Sequence, residues 1–199
     1  MTIISPFLTF PPVSWWGSVA EAGTVVFDAG EHFQKMSYRN RYRVSGANNS
    51  ILLSIPLVNG RDQHIPMSEV LIHNEDSWQV RHWRTLVSVY KRSPYFDHYE
   101  ESLRPLFKTP FTHLIDFNRA SVDWVKRQLK PDFETQETAI YQREYPPEVS
   151  DLRNSKKTPE NLPKYYQVFE DRIGFIPDLS ILDMLFSEGP EAKKFITKK

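Results

Sequence analysis

Residues 3–27, IISPFLTFPPVSWWGSVAEAGTVVF, decide the fold class. The apolar run over 3–8 predicts a strand, and two consecutive prolines then close it because proline cannot donate a hydrogen bond to a continuing ladder. Ser14 can cap a short helix with one apolar face, and Gly23 can end it. The apolar residues 25–27 predict a second strand. We therefore expect a βαβ-like start to a mixed α/β fold.

Beyond this unit, the hydrophobic pattern predicts a small sheet covered by several helices. The predicted elements are strands over 51–58 and 70–72 and helices over 77–92, 95–107 and 119–129. The helix over 77–92 has the clearest core-facing stripe, and Pro94 requires it to end.

The C-terminal part joins a polar segment to an apolar helix. Residues 131–164 are rich in proline and charge and predict a surface loop or arm. An apolar face at helical spacing then predicts a helix from Pro177 to about Gly189. We expect this helix to dock on the core, so that residues 1–199 form a single domain.

Composition argues against several classes of function. The 25 basic and 25 acidic residues balance, so the chain lacks the positive charge that non-specific nucleic-acid binding needs. Cysteine is absent, which excludes thiol nucleophiles, disulfides and cysteine-bound metals and fits a reducing compartment. No apolar run approaches the roughly 20 residues that span a membrane, and no signal-peptide pattern opens the chain. We expect a cytoplasmic protein without a membrane span.

Known ligand-binding motifs are also missing from the sequence. There is no glycine-rich phosphate or dinucleotide motif, and the six histidines lack metal-ligand spacing. We therefore expect neither a cofactor nor a metal. The sequence leaves the oligomeric state open.

Motifs spread over nearly the whole chain can be compared with known families. They are Ser5-Pro6-Phe7 with Trp15-Trp16, the QKMSYRNR block at 34–41, Trp78 with His82-Trp83, Tyr90 with the SPYF block at 93–96, and LSILDMLFSEGP at 179–190. Together these motifs resemble the WbqC-like protein family. Members of this family are associated with bacterial surface-polysaccharide loci, so the resemblance implies a role in building or modifying O-antigen or a related glycan.

The best candidate site directly follows the second predicted strand. In α/β sheets the carboxyl ends of strands open onto ligand crevices, and residues 28–43 concentrate polar and cationic side chains at such a position. Asp28 can act as a base or orient a partner, and His32 can transfer a proton near neutral pH. The side chains expected to bind phosphate or carboxylate groups of a substrate are Lys35, Arg39, Asn40 and Arg41. The alternative is a solvated loop whose charges pair with one another.

A second candidate group lies on the predicted helix over 77–92. His82 follows Trp78 by four residues, so the two rings lie on neighbouring turns and could line an acceptor pocket. Tyr90 is a further candidate contact for the substrate. Ordinary core packing is the alternative interpretation of all three side chains.

These observations predict an enzyme that transfers an acyl or amino-acyl group to a nucleotide-activated sugar. The family resemblance suggests the transferase class, and arginine and lysine pair well with the oxygens of a diphosphate. His32 or His82 would act as general base, since no thiol is present to form a covalent intermediate. The alternative is a non-catalytic glycan-binding or scaffolding protein of the same pathway, with exposed Trp15, Trp16 and Tyr95. An enclosed polar pocket around His32 favours catalysis, and an open aromatic patch favours binding.

Overall fold

The computed structural model describes residues 1–60, 62–154 and 162–197. Its strands are β1 (Thr2–Ser5), β2 (Thr24–Asp28), β3 (Arg41–Val44), β4 (Ile51–Ser54), β5 (Glu134–Thr138) and β6 (Val149–Asp151). Its α-helices are α1 (Val13–Val19), α2 (Trp78–Tyr90), α3 (Phe96–Leu103), α4 (Leu114–Leu129), α5 (Glu170–Ile173), α6 (Ile181–Glu188) and α7 (Ala192–Ile196). Short 3-10 turns lie at Met67–Glu69, Asn74–Asp76, Arg104–Phe107 and Gly189–Glu191.

A parallel four-stranded sheet in the order β5-β2-β1-β6 forms the centre of the fold. In β1, Ile3 is paired with Val25 of β2, and Ile4 is paired with Asp151 of β6. The mixed α/β class and the βαβ-like start are confirmed. From β1 the chain adds β2 and β5 on one side and then β6 on the other. The strand order therefore reverses between β1 and β6, which is where ligand crevices open in such sheets.

The segment that follows β2 leads into a separate antiparallel pair, β3 and β4. The strand predicted over 51–58 ends at Ser54, shortly before Pro56, which cannot donate to a ladder. The predicted strand at 70–72 forms only isolated bridges, from Leu71 to His113 and from Ile72 to Leu57.

The polar stretch predicted as a surface loop or arm over 131–164 contributes to the sheet instead. It contains β5 and β6, which pair with β2 and β1 respectively. Both are short edge strands, and β5 is mostly exposed, so their sequence carries no hydrophobic alternation. Part of the predicted arm, residues 155–161, lies outside the described residues.

The helix predicted over 77–92 is confirmed as α2, and the one over 95–107 becomes α3 with a 3-10 turn. The helix predicted over 119–129 begins earlier, at Leu114, because residues before 119 extend its apolar face. At the C-terminus, Ser180 caps α6 by accepting a hydrogen bond from the Leu182 amide, so α6 begins after Pro177.

The C-terminal helix α6 docks on the core as expected, since every residue from Ile181 to Ser187 is buried. Buried apolar side chains from β1 through α7 form one continuous cluster with many aromatic rings. Near its centre, Phe10 contacts the rings of Tyr42, Phe107 and Phe117. Within the described residues, no helix has the length and apolar character that crossing a membrane requires.

Candidate functional site

A cleft at the carboxyl ends of the parallel strands contains two neighbouring cavities. The histidine cavity, about 390 Å³, lies among the segments that follow β2, β5 and β6 and is lined by His32 and His64. The switch-point cavity, about 370 Å³, lies between the segments that follow β1 and β6. Both volumes fall at the lower end of the roughly 300–1,000 Å³ of small-molecule sites. The side chains that line both cavities are Gln34, Lys35, Arg153 and Asn154.

Asp28, the last residue of β2, shapes the turn that leads into the cleft. Its Oδ1 accepts hydrogen bonds from the amides of Gly30 and Glu31, both at 2.9 Å. A Cβ on Gly30 would lie 2.5 Å from the carbonyl oxygen of Ala139, so glycine lets this turn approach the segment after β5. The fully buried Asp28 carboxylate is thus engaged in positioning the wall that carries His32.

Arg153 follows β6 and joins it to the rest of the sheet. Its Nη1 donates to Asp28 Oδ2 at 2.6 Å, and its Nη2 donates to Asp151 Oδ2 at 2.6 Å. The rings of Tyr141 and Tyr145 lie 5.2 and 4.9 Å from its guanidinium carbon. Burial opposes ionisation of Asp151, but the hydrogen bonds from Arg153 outweigh it and lower the pKa of Asp151. Arg153 is itself buried, and these contacts occupy its guanidinium.

Arg39 is held by a second buried ion pair. Its Nε and Nη2 donate to the Glu31 carboxylate at 2.9 and 2.7 Å, and Nη2 also donates to the Arg153 carbonyl oxygen at 3.1 Å. Burial raises the pKa of Glu31, and the Arg39 guanidinium offsets only part of that effect. Arg39 borders the switch-point cavity, but its charge is already neutralised by Glu31. A bidentate pair of this kind satisfies both partners.

Asn40 and Arg41 support the backbone and line neither cavity. The Asn40 amide nitrogen donates to the Ile55 carbonyl oxygen at 3.0 Å, and Arg41 Nε donates to the Ser37 carbonyl oxygen at 3.2 Å. The Asn40 bond holds the start of β3 beside the end of β4, and the Arg41 bond holds it to the preceding turn.

His32, Lys35 and His64 bring their side chains to the histidine cavity. The exposed His32 ring lies parallel to Tyr141, with ring centroids 6.3 Å apart. Lys35 Nζ donates to Asp62 Oδ1 at 2.5 Å, and both of these side chains are more than half exposed. The cavity therefore combines two imidazoles and an ammonium group that solvent can reach.

Trp78, His82 and Tyr90 lie in the core and line neither cavity. Ser54 offers only a carbonyl oxygen to His82 Nε2, so Nε2 carries the proton and the Tyr42 hydroxyl donates to Nδ1, both at 3.2 Å. Burial lowers the pKa of His82 to about 4, so its ring is neutral at physiological pH. The position of these side chains corresponds to the core-packing alternative and does not support an acceptor pocket on α2.

Several side chains of the cleft are absent from the sequence-based prediction, namely Glu31, Gln34, His64, Tyr141, Arg153 and Asn154. Tyr141, Arg153 and Asn154 lie in the stretch that predicts an arm, and only the pairing of β5 and β6 with the sheet brings them here. His64 lies between Gly60 and Pro66, and these two residue types indicate a loop. The sequence around His64 gives no other local signal of a site.

The aromatic surface required by the glycan-binding alternative is not formed by the residues expected. Trp15 and Trp16 are buried, and Tyr95 is half-buried against α6. Trp15 instead donates from its indole nitrogen to Ser5 Oγ at 2.9 Å. Among residues 1–60, 62–154 and 162–197, no cluster of three or more histidine and carboxylate side chains is arranged to hold a metal ion.

Fold and site together define a mixed α/β protein with a polar cleft at the carboxyl end of a parallel sheet. The chain belongs to the WbqC-like protein family, whose model matches residues 8–148. The matched region contains His32, Lys35, His64 and Tyr141 but ends before β6 and Arg153. Neither curated proteins nor solved structures give a significant match to the chain.

Proposed function

We propose that this protein is an enzyme of bacterial surface-polysaccharide biosynthesis that transfers an acyl or amino-acyl group to a nucleotide-activated sugar. One observation carries the proposal: His32, His64 and Lys35 meet in one cavity at the carboxyl end of the parallel sheet. Membership of the WbqC-like family supports the glycan pathway. The absence of cysteine from the sequence fits action in the cytoplasm.

Lys35 is the residue that would bind the diphosphate of the activated sugar. Its ion pair with Asp62 is exposed, and exposed pairs contribute only about 0–1 kcal/mol, so a phosphate oxygen can replace the carboxylate at little cost. Arg39 and Arg153 are held by buried carboxylates and would act through the shape of the cleft.

His32 would act as the general base. Its imidazole takes the proton from the amino or hydroxyl group of the sugar while that group attacks the carbonyl carbon of the acyl donor. A new C–N or C–O bond forms, the bond between the carbonyl carbon and the leaving group breaks, and the proton passes to the leaving group. The Tyr141 ring faces the His32 ring, with the two ring centroids 6.3 Å apart. His64 lines the same cavity and could deliver the proton to the leaving group.

Binding is tested first, by calorimetry with a panel of UDP- and dTDP-linked hexoses, N-acetylhexosamines and amino sugars. Lys35→Ala should weaken binding of the preferred compound by roughly tenfold or more, because a hydrogen bond to a charged group is lost. Lys91→Ala is the matched control, since Lys91 also forms exposed ion pairs, with Asp97 and Glu100, but lies outside the cleft.

Catalysis is tested with the same sugars plus acetyl-coenzyme A or glycyl adenylate, and the acylated sugar is detected by mass spectrometry. His32→Ala should lower the rate by roughly 10²–10⁴-fold and leave sugar affinity nearly unchanged. His98→Ala is the matched control, because His98 is also exposed and contacts a tyrosine ring. The proposal is wrong if no panel compound binds, or if His32→Ala reacts at the rate of His98→Ala.

A further inference from the structure

The connecting segment between β5 and β6, residues 139–148, is short for a crossover between parallel strands. β2 and β1 lie between β5 and β6 in the sheet, so the segment returns from the carboxyl to the amino end while it passes two strands. Such crossovers usually contain a helix whose apolar face packs on the sheet. The connecting segment contains no helix, and all its residues are exposed except Tyr145, which is half-buried. Burial of apolar side chains therefore contributes little to holding it in place.

Arg153 supplies polar contacts that hold the connecting segment. Its Nη1 donates to the Gln142 carbonyl oxygen at 2.8 Å, and its Nη2 donates to the Arg143 carbonyl oxygen at 3.4 Å. The rings of Tyr141 and Tyr145 lie 5.2 and 4.9 Å from the same guanidinium carbon. In the part of the chain that the structure describes, the only other side chain that hydrogen-bonds to the backbone of the segment belongs to the last residue of β5.

The guanidinium that holds the connecting segment is itself held by the ends of β2 and β6. Asp28 of β2 accepts from Nη1 at 2.6 Å, and its other carboxylate oxygen accepts from the amides of the turn before His32. Asp151 of β6 accepts from Nε at 3.0 Å and from Nη2 at 2.6 Å. One side chain therefore joins the segments that follow β2, β5 and β6, among which the histidine cavity lies.

We infer that Arg153 is a positioning residue of the histidine cavity, which holds the connecting segment as one wall and keeps the Tyr141 ring opposite His32. Tyr141 lines the cavity and faces His32, so displacement of the segment would open this wall and remove the ring. A guanidinium suits the task because its edge binds carboxylates and carbonyls while its two flat faces accept aromatic rings. A lysine ammonium carries the same charge without those faces. The inference concerns how the cavity is built and does not depend on the reaction that takes place in it.

Chymotrypsin can test whether the connecting segment is held, because the chain offers two matched bonds. Both join a tyrosine to a glutamine, one after Tyr141 inside the segment and one after Tyr166 outside it. The two tyrosines are 52% and 54% exposed. Cleavage of a folded protein requires the chain to open around the bond, so the rate reports that local opening. Mass spectrometry identifies each product, and the bond after Tyr166 serves as the internal reference for general loss of stability.

Arg153→Lys is the decisive variant because it keeps a cation beside Asp28 and removes the planar group. We expect it to raise cleavage after Tyr141 by about tenfold or more and to change cleavage after Tyr166 by less than about twofold. Arg119→Lys is the matched control, since Arg119 also pairs with two carboxylates, and both rates should stay within about twofold of the wild type.

A second variant tests the inference if Arg153→Lys does not fold. Tyr145→Leu removes one ring from the guanidinium and leaves its ion pairs with Asp28 and Asp151 in place. It should raise cleavage after Tyr141 severalfold and leave the reference bond unchanged.

The surroundings of His32 provide a readout that a general loss of stability would not move. The NMR resonance of the His32 Cε1 proton, assigned with His32→Gln, senses the Tyr141 ring that faces it. Tyr141→Leu defines the position of this resonance without the ring. Arg153→Lys should move the resonance towards that position, and Arg119→Lys should leave it at the wild-type position.

The inference is overturned if Arg153→Lys raises cleavage at the two bonds equally or at neither, or if the His32 resonance keeps its wild-type position in that variant. It is equally overturned if Tyr145→Leu leaves cleavage after Tyr141 unchanged. These measurements use no substrate, so their failure is distinct from failure of the proposed transferase activity, which binding and turnover test.

Discussion

His82 illustrates how burial controls the protonation of a single side chain. Both ring nitrogens have partners, the Tyr42 hydroxyl and the Ser54 carbonyl oxygen. Burial disfavours the charged ring, the Ser54 carbonyl offsets part of this, and the nearby Arg81 charge adds to it, so the pKa falls from 6.5 to about 4. A histidine with this pKa is neutral at pH 7 and packs as part of the aromatic core.

We predict that His82 makes the fold less stable in acid. The His82 ring takes up a proton below about pH 6.5 in the unfolded chain, but only below about pH 4 in the folded protein. The contribution of neutral His82 to the stability of the fold is therefore complete above pH 6.5 and is lost as the pH falls through 4. Between pH 7 and pH 5 the loss should be about 2 kcal/mol. Urea unfolding at both pH values should show that His82→Gln lacks this loss and that the control His98→Gln retains it. Equal pH dependence in the two variants would contradict the assignment.

At the scale of secondary-structure elements, β6 depends on contacts beyond its own short ladder. It has three residues and, in the part of the chain that the structure describes, pairs with β1 alone, so few backbone hydrogen bonds hold it. Arg153, two residues beyond its end, pairs with the buried Asp28 of β2 and with Asp151 of β6 itself. This side chain therefore ties together two strands on either side of β1.

Removing Arg153 should destabilise the protein because it leaves the Asp28 carboxylate buried without a cation. We expect Arg153→Met to lower the free energy of unfolding by about 3–5 kcal/mol. Arg119→Met is the matched control, since Arg119 also joins two carboxylates at the opposite edge of the sheet but is 38% exposed. Its loss should cost less than about 1 kcal/mol.

A double variant separates the loss of the charge pair from the loss of packing. Arg153→Met combined with Asp28→Asn removes both charges, and the side-chain amide oxygen that this second substitution introduces can still accept from the turn amides. Urea unfolding should show the double variant to be more stable than Arg153→Met alone. If the two single effects simply add, the unpaired carboxylate is not the cause of the destabilisation.

For the molecule as a whole, a buried polar cluster joins the C-terminal segment to the earlier part of the chain. Asp183 of α6 accepts hydrogen bonds from the Tyr90 hydroxyl at 2.5 Å and the Tyr165 hydroxyl at 2.9 Å. Tyr90 in turn accepts from the Ser45 amide at 2.9 Å. Burial raises the pKa of Asp183 to about 6, and the two tyrosine hydroxyls offset only part of that effect.

Asp183 should produce the opposite pH dependence to His82. The pKa of Asp183 is about 6 in the folded protein and 3.8 in the unfolded chain. Its contribution to the stability of the fold is therefore complete below pH 3.8 and is lost as the pH rises through 6. Between pH 5 and pH 7 the wild type should lose about 1 kcal/mol from this group. Asp183→Asn should lack that loss in urea unfolding, and exposed Asp123→Asn should retain it. A loss of the same size in Asp183→Asn would refute this account.

The candidate block over 28–43 shows how far local sequence reasoning reaches into the site. The position after a strand correctly indicates the edge of the sheet where the cleft opens, because that rule depends only on strand direction. Which cations remain accessible depends on how deeply each ion pair is buried. Arg39 is neutralised by a buried glutamate eight residues away, whereas the carboxylate that pairs with Lys35 is exposed. Burial, which no residue type reveals, separates the two.

By itself the sequence determined the α/β class, the first βαβ unit, the main helices and the absence of thiol chemistry. These features depend on residue identity or on hydrophobic periodicity within a few turns of chain. Tertiary structure alone decided that β5 and β6 join the sheet and that His64, Tyr141 and Asn154 reach the cleft. Short polar edge strands take their place from hydrogen bonds to strands more than 100 residues away in sequence, and no local pattern records such pairing.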